Sequence, residues 1–319
     1  MRVGYHLSSE ELDPVAMARW AARAEQAGFD LVTVSDHFHP WTPRQGSSPF
    51  VWGVLGAIAA VTERVEVATC VTCPTIRIHP AIVAQAAATA AVQLEGRFVF
   101  GVGTGERLNE AILGDPWPPA VERREMLEEA IALMRLLWSG EMVRAWDGDH
   151  YTVERARLYT VPDSAPPVVV SGLGPHAAAL AGEIGDGYWN TSPDTELLGA
   201  FRRAGGEGKP AYGKLDTCVA KDDATARRIA HERWATSALP GELGRELAVP
   251  EHYAQAAQIV TEEQVAEGFL CSSDPDEHLA RLREFADAGY DSVCVQQAGQ
   301  DQERLISLYE REILAAVAQ

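Results

Sequence analysis

Basic residues are scarce in this chain, and their scarcity argues against two classes of partner. Of 319 residues, 27 are Lys or Arg and 46 are Asp or Glu, so the formal net charge is -19 at pH 7. Sequence-independent binding to nucleic acid or to an anionic membrane requires clustered positive charge. We therefore expect no nucleic acid and no membrane among the partners, and expect small molecules instead.

Cysteines and long apolar runs are also few. The five cysteines are odd in number and widely spaced (Cys70, Cys73, Cys218, Cys271 and Cys294), unlike the disulfide framework of a secreted protein. No apolar run reaches membrane-spanning length, and the first residues enter a predicted strand without a signal-like segment. We expect a protein of the reducing cytoplasm. Cys70 and Cys73 have redox or half-zinc-site spacing, but no matching ligand pair follows.

A repeated alternation of strand and helix runs through the chain. The predicted strands are continuous apolar runs, as is typical of parallel strands buried on both faces. They lie at residues 3–7, 31–35, 65–71, 98–102, 167–171, 187–190, 215–220 and 292–296. Helical periodicity predicts the intervening segments 15–27, 51–60, 80–94, 122–138, 175–184, 197–203, 224–237, 277–288 and 304–317. The pattern predicts a (β/α)8 TIM barrel, with a doubly wound open sheet as the alternative.

Two segments interrupt this alternation. Asp147-Gly148 separates two β-forming stretches and predicts a two-residue hairpin turn. Residues 239–263 contain Pro240, Gly241, Gly244 and Pro250, and they predict a helical insertion at the mouth of the barrel, where irregular segments commonly carry function. Because no linker or change of composition divides the chain, we expect residues 1–319 to form a single domain.

The ends of the predicted strands collect the residues that are able to do chemistry. In a barrel these ends converge on one mouth, and here they supply Glu10, Asp36, His37, residues 70–74, residues 103–106, Ser171, Gly172, Thr191 and Ser192. Taken alone, Val34-Ser35-Asp36-His37-Phe38-His39-Pro40-Trp41 fits a catalytic histidine and a structural one equally well.

Two other kinds of site are disfavoured. In Gly101-Val102-Gly103-Thr104-Gly105-Glu106 a glutamate occupies the place of the last glycine of a dinucleotide fingerprint. These glycines instead indicate a close approach of backbone to a flat or anionic ligand. His37 and His39 could be alternate metal ligands, but the later strand ends offer glycine, serine and threonine rather than further ligands. We expect no metal.

These residues together resemble a known family, the luciferase-like coenzyme F420-dependent oxidoreductases, and most closely its F420-dependent glucose-6-phosphate dehydrogenase group. The resemblance covers essentially the whole chain. Its motifs are Ser35-Asp36-His37-Phe38 with Pro40-Trp41, Pro74-Thr75 with Pro80, residues 101–106 with Leu108-Asn109-Glu110, Leu137-Trp138-Ser139-Gly140, Asp147-Gly148, and Ser273-Asp274-Pro275-Asp276. It implies a luciferase-like (β/α)8 barrel with insertions, coenzyme F420 as cofactor, and a homodimer.

The resemblance also implies catalytic roles. His37 would take the hydroxyl proton while the substrate carbon gives a hydride to C5 of the deazaflavin, and Glu106 would supply a proton to the reduced ring. Trp41 and Glu10 would line the substrate side. A histidine suits proton removal near neutral pH, and the deazaflavin provides the hydride chemistry.

For the cofactor, the resemblance implies a set of contacts that is spread over several strand ends. It comprises Asp36, Cys70, Val71, Cys73, Thr104, Gly105, Asn109, Leu173, Gly174, His176 and Ala177. Gly174 opens a helix, where free N–H groups suit a phosphate. The Cys70-Val71 bond would be a cis peptide that supports the ring from behind.

The chain departs from this group at the substrate phosphate site. Two lysines and an arginine of the group correspond here to Asp194, Gly244 and Gly268, while the substrate-binding Thr191 is retained and Arg245 stands next to Gly244. Losing charge-assisted contacts worth roughly 1.5–3 kcal/mol each predicts that glucose 6-phosphate is not the substrate. The alternatives are an FMN-dependent luciferase-like monooxygenase and a non-catalytic flavin-binding relative.

Overall fold

The fold is a closed barrel of eight parallel strands. The computed structural model describes residues 1–317, and the strands are β1 (Arg2–Leu7), β2 (Leu31–Val34), β3 (Glu66–Thr69), β4 (Phe98–Val102), β5 (Val143–Asp147), β6 (Thr152–Ala156), β7 (Val168–Ser171), β8 (Gly187–Asn190), β9 (Ala211–Thr217) and β10 (Ser292–Gln297). Their order around the barrel is β1-β10-β9-β8-β7-β4-β3-β2, and β5 and β6 form a separate antiparallel pair. The predicted barrel is confirmed, and the open sheet is wrong.

Helices connect the strands and cover the barrel. They are α1 (Pro14–Ala27), α2 (Val51–Ala59), α3 (Pro80–Gln93), α4 (Arg107–Glu110), α5 (Ala120–Trp138), α6 (Pro175–Ile184), α7 (Thr195–Phe201), α8 (Asp223–Trp234), α9 (Leu243–Glu246), α10 (Pro250–Ala256), α11 (Glu262–Gly268), α12 (Pro275–Ala288), α13 (Gln302–Leu308) and α14 (Leu314–Val317). Within residues 1–317, none of these helices has the length and apolarity that a membrane crossing requires.

Local signals set several of these boundaries. Asp13 and Asp274 accept hydrogen bonds from the first backbone N–H groups of α1 and α12, each of which begins with proline. Both helices end at a glycine in the left-handed conformation, Gly28 and Gly289, each with φ 97°, a conformation that glycine adopts without steric cost. The capping residues therefore account for these helix ends without reference to the rest of the chain.

The core has separate layers inside and outside the sheet. A cluster made of strand residues alone fills the barrel interior (Leu31, Ala68, Val99, Val169, Trp189, Tyr212 and Cys294). A much larger cluster packs the outer face of the strands against the helices. Alternate side chains of a strand point to opposite faces, so each strand contributes to both layers. A third cluster packs under residues 239–263 and includes Trp234, Tyr253 and Phe269.

Several predicted boundaries are wrong. The strand predicted at 215–220 is β9, which begins at Ala211 and includes Gly213. A Cβ on Gly213 would lie 2.5 Å from Cδ1 of Phe285, so packing against α12 explains a glycine within this strand. The closing helix predicted at 304–317 is divided into α13 and α14 by a π-helical turn at Tyr309–Ile313.

The hairpin exists, but its predicted two-residue turn is wrong. Asp147 pairs with Thr152, so residues 148–151 form the connection. The carboxylate of Glu129 on α5 accepts hydrogen bonds from the backbone N–H groups of His150 and Tyr151 at 2.9 and 3.0 Å. A distant acceptor thus holds the longer loop, which the Asp147-Gly148 pair could not reveal.

Candidate active site

The carboxyl ends of the strands bring the predicted catalytic residues to one mouth of the barrel. Glu10 follows β1, and His37 follows β2. The Nε2 atom of His37 lies 3.5 Å from Oε1 of Glu10, and the two side chains are 10% and 3% exposed. This is a sheltered imidazole–carboxylate pair, assembled from residues that two adjacent strands position.

The contacts of His37 indicate which ring nitrogen carries the proton. Its Nδ1 atom lies 3.2 Å from the backbone oxygen of His39, and a carbonyl oxygen can only accept a hydrogen bond. We therefore assign the proton of the neutral ring to Nδ1. Nε2 is then the atom with a free lone pair, and it faces Glu10.

Glu10 is held as a carboxylate by its surroundings. Its Oε2 atom accepts hydrogen bonds from the hydroxyl groups of Ser8 and Ser35, both at 2.7 Å. Burial opposes its ionisation, but these two hydroxyl groups, and His37 whenever it is protonated, outweigh burial and lower the pKa of Glu10 below its ordinary value. A negative charge is thus available beside His37 throughout the neutral range.

Trp41 forms a wall beside His37. Their ring centroids are 5.0 Å apart in an edge-to-face arrangement. On its other side Trp41 meets Tyr253 of α10, with centroids 5.4 Å apart. The segment predicted as a helical insertion therefore packs directly against an aromatic residue of the site.

Asn109 fastens the loop that carries His37. Its Oδ1 atom accepts hydrogen bonds from the backbone N–H groups of Phe38 at 2.9 Å and His39 at 3.1 Å. Its Nδ2 atom is buried and has no hydrogen-bond partner among the described residues. Glu106 precedes α4, at the end of β4, and its side chain is half-buried. The predicted residues of the β2 and β4 ends are therefore neighbours.

An ion-pair network that the sequence analysis missed holds Asp36. One Asp36 oxygen accepts a hydrogen bond from the guanidinium of Arg77 at 2.9 Å, and the other accepts one from the hydroxyl of Thr72 at 2.9 Å. Glu110 lies on the other side, where its Oε2 atom accepts the backbone N–H of Arg77 at 2.9 Å. The network ties together the loops that follow β2, β3 and β4. In the sequence, Arg77 and Thr72 lie close to Cys70 and Cys73, which were predicted to contact the cofactor. No local sequence pattern indicates that Arg77 and Thr72 bind Asp36.

Glu110 is a strongly perturbed carboxyl group of this network. Burial raises its pKa to about 7, against the opposing effect of Arg77. One guanidinium therefore lies between two buried carboxyl groups, of which Glu110 readily becomes neutral.

Glycines allow the strand ends to approach each other closely. A Cβ on Gly103 would lie 2.8 Å from Cγ2 of Val71, and one on Gly105, whose φ is 74°, would lie 2.7 Å from Sγ of Cys73. The Cys70-Val71 peptide bond is cis, as the resemblance implies. These residues and the half-buried Thr104 form a narrow backbone cradle.

Four predicted cofactor contacts lie further round the mouth, after β7. Leu173 and His176 are exposed, and Ala177 is half-buried. Gly174 precedes α6 with no side chain bonded to the helix N-terminus, and a Cβ at Gly174 would have no atom within 4 Å. The first backbone N–H groups of a ten-residue helix are thus left open to a ligand.

The residues at the predicted substrate-phosphate position form no basic cluster. Asp194 is occupied as the N-cap of α7, where Oδ1 accepts the N–H groups of Glu196 and Leu197, each at 2.9 Å. Gly244 and Gly268 have no atom within 4 Å of a Cβ position. Thr191 is exposed after β8, and Arg245 is exposed on α9.

His39, Cys70 and Cys73 lie near the mouth and carry groups of the kinds that bind metals or react as thiolates. His39 directs Nδ1 to the backbone oxygen of Leu108 at 3.0 Å, and residues 1–317 hold no group of three or more His, Cys, Asp or Glu arranged to bind a metal. All five cysteines are free. Burial raises the pKa of Cys70 to about 12 and that of Cys73 well above its ordinary value, which disfavours a reactive thiolate.

Comparisons with known proteins agree with this geometry. The family model described as luciferase-like monooxygenase matches residues 1–292. An F420-dependent glucose-6-phosphate dehydrogenase of Nakamurella multipartita is 38% identical, over 98% of this chain and 96% of that protein. Among solved structures, an F420-dependent secondary alcohol dehydrogenase in complex with an F420-acetone adduct has a TM-score of 0.91 at 32% identity, covering 98% of both chains. The coenzyme F420-dependent tetrahydromethanopterin reductase of Methanopyrus kandleri has a TM-score of 0.76 at 20% identity, covering 99% of both chains, which shows a common fold.

Proposed function

This chain belongs to the luciferase-like monooxygenase family, and we propose that within this family it is a coenzyme F420-dependent oxidoreductase. The reaction is hydride transfer between an alcohol or hemiacetal carbon of a small molecule and C5 of the deazaflavin. The observation that carries the proposal is the sheltered His37–Glu10 pair beside the glycine cradle. The relatives above 30% identity, which are named for F420, support F420 over the FMN alternative.

The residues at the mouth fit a flat cofactor with a phosphate-bearing tail. The Gly103 and Gly105 backbone leaves no room for side chains on the side that faces Val71 and Cys73. The Nδ2 atom of Asn109, which has no hydrogen-bond partner within residues 1–317, supplies a buried donor, and the open N-terminus of α6 suits an anion. We assign the ring to the β3–β4 ends and the phosphate to residues 173–177. When bound, F420 supplies the hydride acceptor or donor at C5.

His37 is the base in this proposal. With its proton on Nδ1 and donated to the His39 carbonyl, the ring keeps Nε2 free to take the hydroxyl proton of an alcohol. The imidazolium that forms faces the Glu10 carboxylate at 3.5 Å, so Glu10 stabilises the protonated base without taking its proton. Trp41 excludes water on the substrate side, and Glu106 exchanges a proton on the cofactor side.

The substrate is proposed to be uncharged. Asp194 places a carboxylate, used as a helix cap, where the glucose-6-phosphate dehydrogenase group has a cation. Gly244 and Gly268 provide no side chain in place of the other two cations. Thr191 remains the proposed substrate contact at the β8 end. An anionic substrate would therefore face a carboxylate in a strongly acidic protein.

Cofactor binding and turnover test this function separately. We expect saturable fluorescence quenching on F420 titration, no comparable FMN binding, and F420 reduction with at least one uncharged alcohol or sugar from a substrate panel. Glucose 6-phosphate is expected to fail. The His37→Ala variant should lose at least about 100-fold in turnover, whereas His252→Ala, which changes an exposed histidine of α10, should not. Absence of saturable F420 binding, or unchanged turnover in His37→Ala, would overturn the proposal.

Two properties of the whole protein are also proposed. We infer a homodimer, supported by the exposed apolar Phe50 and Ile82, which are 60% and 58% exposed beside α2 and on α3. We infer a reducing cytoplasmic environment, supported by five cysteines that are all free thiols.

A further inference from the structure

A second buried glutamate, Glu11, follows Glu10 in the chain and has no part in the chemistry proposed above. Its side chain is 0% exposed. Its Oε2 atom accepts hydrogen bonds from the indole Nε1 of Trp234 at 2.9 Å and from the backbone N–H of Gly299 at 3.0 Å. These donors lie at the end of α8 and in the loop after β10. The two consecutive glutamates therefore have different partners, since Glu10 faces His37.

The backbone that carries both glutamates is a turn outside regular secondary structure. The N–H groups of Glu11 and Leu12 both donate to the carbonyl of Ser8, at 3.3 and 3.1 Å. The carbonyl of Glu11 accepts a hydrogen bond from Nε2 of Gln300 at 2.9 Å. Both the side chain and the carbonyl of Glu11 are thus bonded to the loop after β10, one residue away from Glu10.

The loop before α2 holds the opposite side of this turn. The backbone N–H of Ser47 donates to the carbonyl of Glu10 at 3.1 Å, and the hydroxyl of Ser48 donates to the carbonyl of His37 at 2.7 Å. Two neighbouring serines therefore connect the backbone of Glu10 to that of His37. The bonds of Glu11 supply the second attachment, on the side of the turn that faces α8 and β10.

The hydrogen bonds of Glu11 require an acceptor oxygen rather than a charge. Both donors to its Oε2 atom are uncharged N–H groups. Its Oε1 atom has no hydrogen-bond partner within residues 1–317 and lies 3.8 Å from Nε of Arg233. Burial raises the pKa of Glu11 against the effect of these neighbours. An amide oxygen is therefore able to replace the carboxylate of Glu11, whereas the proposed role of Glu10 depends on its negative charge.

We propose that Glu11 is a positioning residue that holds the carboxylate of Glu10 opposite His37. Its bonds to Trp234 and Gly299 fix the turn on one side, and Glu10 extends from this turn to a point 3.5 Å from the imidazole. Release of the turn lets Glu10 move away from the ring. The catalytic consequence rests on the proposed function, but the effect on the geometry of Glu10 and His37 does not.

A double-mutant cycle on the F420-loaded enzyme, with an uncharged alcohol or sugar that it turns over, tests the proposal. Glu10→Gln removes the charge beside His37, and Glu11→Ala removes the attachment of the turn. Each should lower kcat by about 10- to 100-fold, with the Kd for F420 unchanged because the cradle lies at the β3–β4 ends. Since Glu11 acts through Glu10, Glu11→Ala should cost no more than about 2-fold further in the Glu10→Gln background.

Three more variants separate positioning from a general loss of stability. Glu11→Gln keeps the acceptor oxygen and should retain most of the turnover. Tyr309→Phe removes a buried hydrogen bond to His278 in the outer helices and should leave kcat unchanged. Trp234→Phe removes one of the two donors and should lower kcat less than Glu11→Ala does, again without a further effect in Glu10→Gln. Trp234→Phe decides the question should Glu11→Ala not fold. Additive losses in the double variants, or equal losses in Glu11→Gln and Glu11→Ala, overturn the proposal.

Histidine NMR on the cofactor-free protein gives a result that does not depend on turnover. The ring signals of His37, assigned by their loss in His37→Gln, should move in Glu11→Ala and stay in place in Glu11→Gln and Tyr309→Phe, because only the first of these releases Glu10. Unmoved signals in folded Glu11→Ala overturn this inference. Signals that move as expected in a protein without F420 turnover would refute the proposed function alone.

Discussion

Asn109 joins the loop that carries His37 to the proposed cofactor cradle through the two ends of one amide. Its oxygen accepts the N–H groups of Phe38 and His39, and its nitrogen has no partner among residues 1–317. The Oδ1 atom of Asn109 therefore stabilises the loop, while its Nδ2 atom is able to donate a hydrogen bond to a ligand.

Substitution of Asn109 should separate these two uses. Asn109→Ala removes the acceptor of two N–H groups and is expected to lower the free energy of unfolding by about 2 kcal/mol, and to weaken F420 binding. Asn109→Asp keeps an acceptor oxygen but removes the free N–H donor, so it should weaken F420 binding with a smaller loss of stability. Urea unfolding and F420 titration measure the two effects. Equal stability loss in both variants would contradict this division.

The raised pKa of Glu110 predicts how the free energy of unfolding changes with pH. Burial raises this pKa from 4.5 in the unfolded chain to about 7 in the folded protein, so the folded state holds the proton more tightly. The stabilisation of the folded state by the protonated Glu110 is therefore fully present below pH 4.5. It is lost as the pH rises towards about 7. One pKa unit corresponds to about 1.4 kcal/mol, which gives a loss of up to about 3 kcal/mol.

Glu110→Gln should remove this dependence, because glutamine has no proton to lose. The free energy of unfolding of the wild type, measured relative to Glu110→Gln, is expected to fall between pH 4.5 and about pH 7. Glu125→Gln changes an exposed glutamate of α5 and serves as the control, with a flat difference. A wild type that gains stability relative to Glu110→Gln over this range would refute the assignment.

At the level of elements, the loop after β4 is shaped by glycine. Gly105 has a φ of 74°, and a Cβ there would lie 2.7 Å from Sγ of Cys73 and 2.8 Å from Cγ of Glu110. Gly114 has a φ of 86°, with no atom within 4 Å of its Cβ position. The two glycines thus share a backbone conformation and differ in the space around them.

Alanine substitutions at Gly105 and Gly114 separate the cost of backbone strain from the cost of steric crowding. Gly114→Ala is expected to cost about 1–2 kcal/mol of unfolding free energy for the left-handed conformation alone. Gly105→Ala should cost about 1–3 kcal/mol more because of overpacking, and it should also weaken F420 binding. Chemical denaturation of both variants measures the difference. Equal losses of unfolding free energy in the two variants would show that the loop after β4 accommodates the added methyl group without a change in the cradle.

At the level of the whole molecule, the α2–α3 surface is the candidate for self-association. We define it by the groove that Phe50, Trp52, Ile78, Ile82 and Ala86 line. Ile82→Glu should convert the expected dimer to monomer, because a buried unpaired carboxylate opposes association. Ile259→Glu, which changes an isoleucine that is 74% exposed in the turn after α10, should leave the dimer intact. Light scattering gives the masses, and a monomeric wild type would refute the homodimer.

Local patterns in the sequence were sufficient to predict the barrel and the end of it at which the predicted catalytic residues converge. Apolar runs, Asp-Pro starts such as Asp13-Pro14, and glycine stops such as Gly28 act within one or two turns of chain. The bounds of α6 and β8 were predicted as the structure has them. The roles of His37 and Glu106 came from the resemblance, and they stay predictions.

Only the tertiary structure decided which side chains become partners. Arg77 reaches Asp36 across 41 residues of chain, and Glu10 meets His37 because β1 and β2 are paired in the barrel. The Glu129 contact that sets the hairpin loop is equally non-local. Periodicity and capping depend on neighbours along the chain, whereas ion pairs and electric fields depend on strand order and register. The sequence thus determined the scaffold and the position of His37, and the fold determined the charges that surround it.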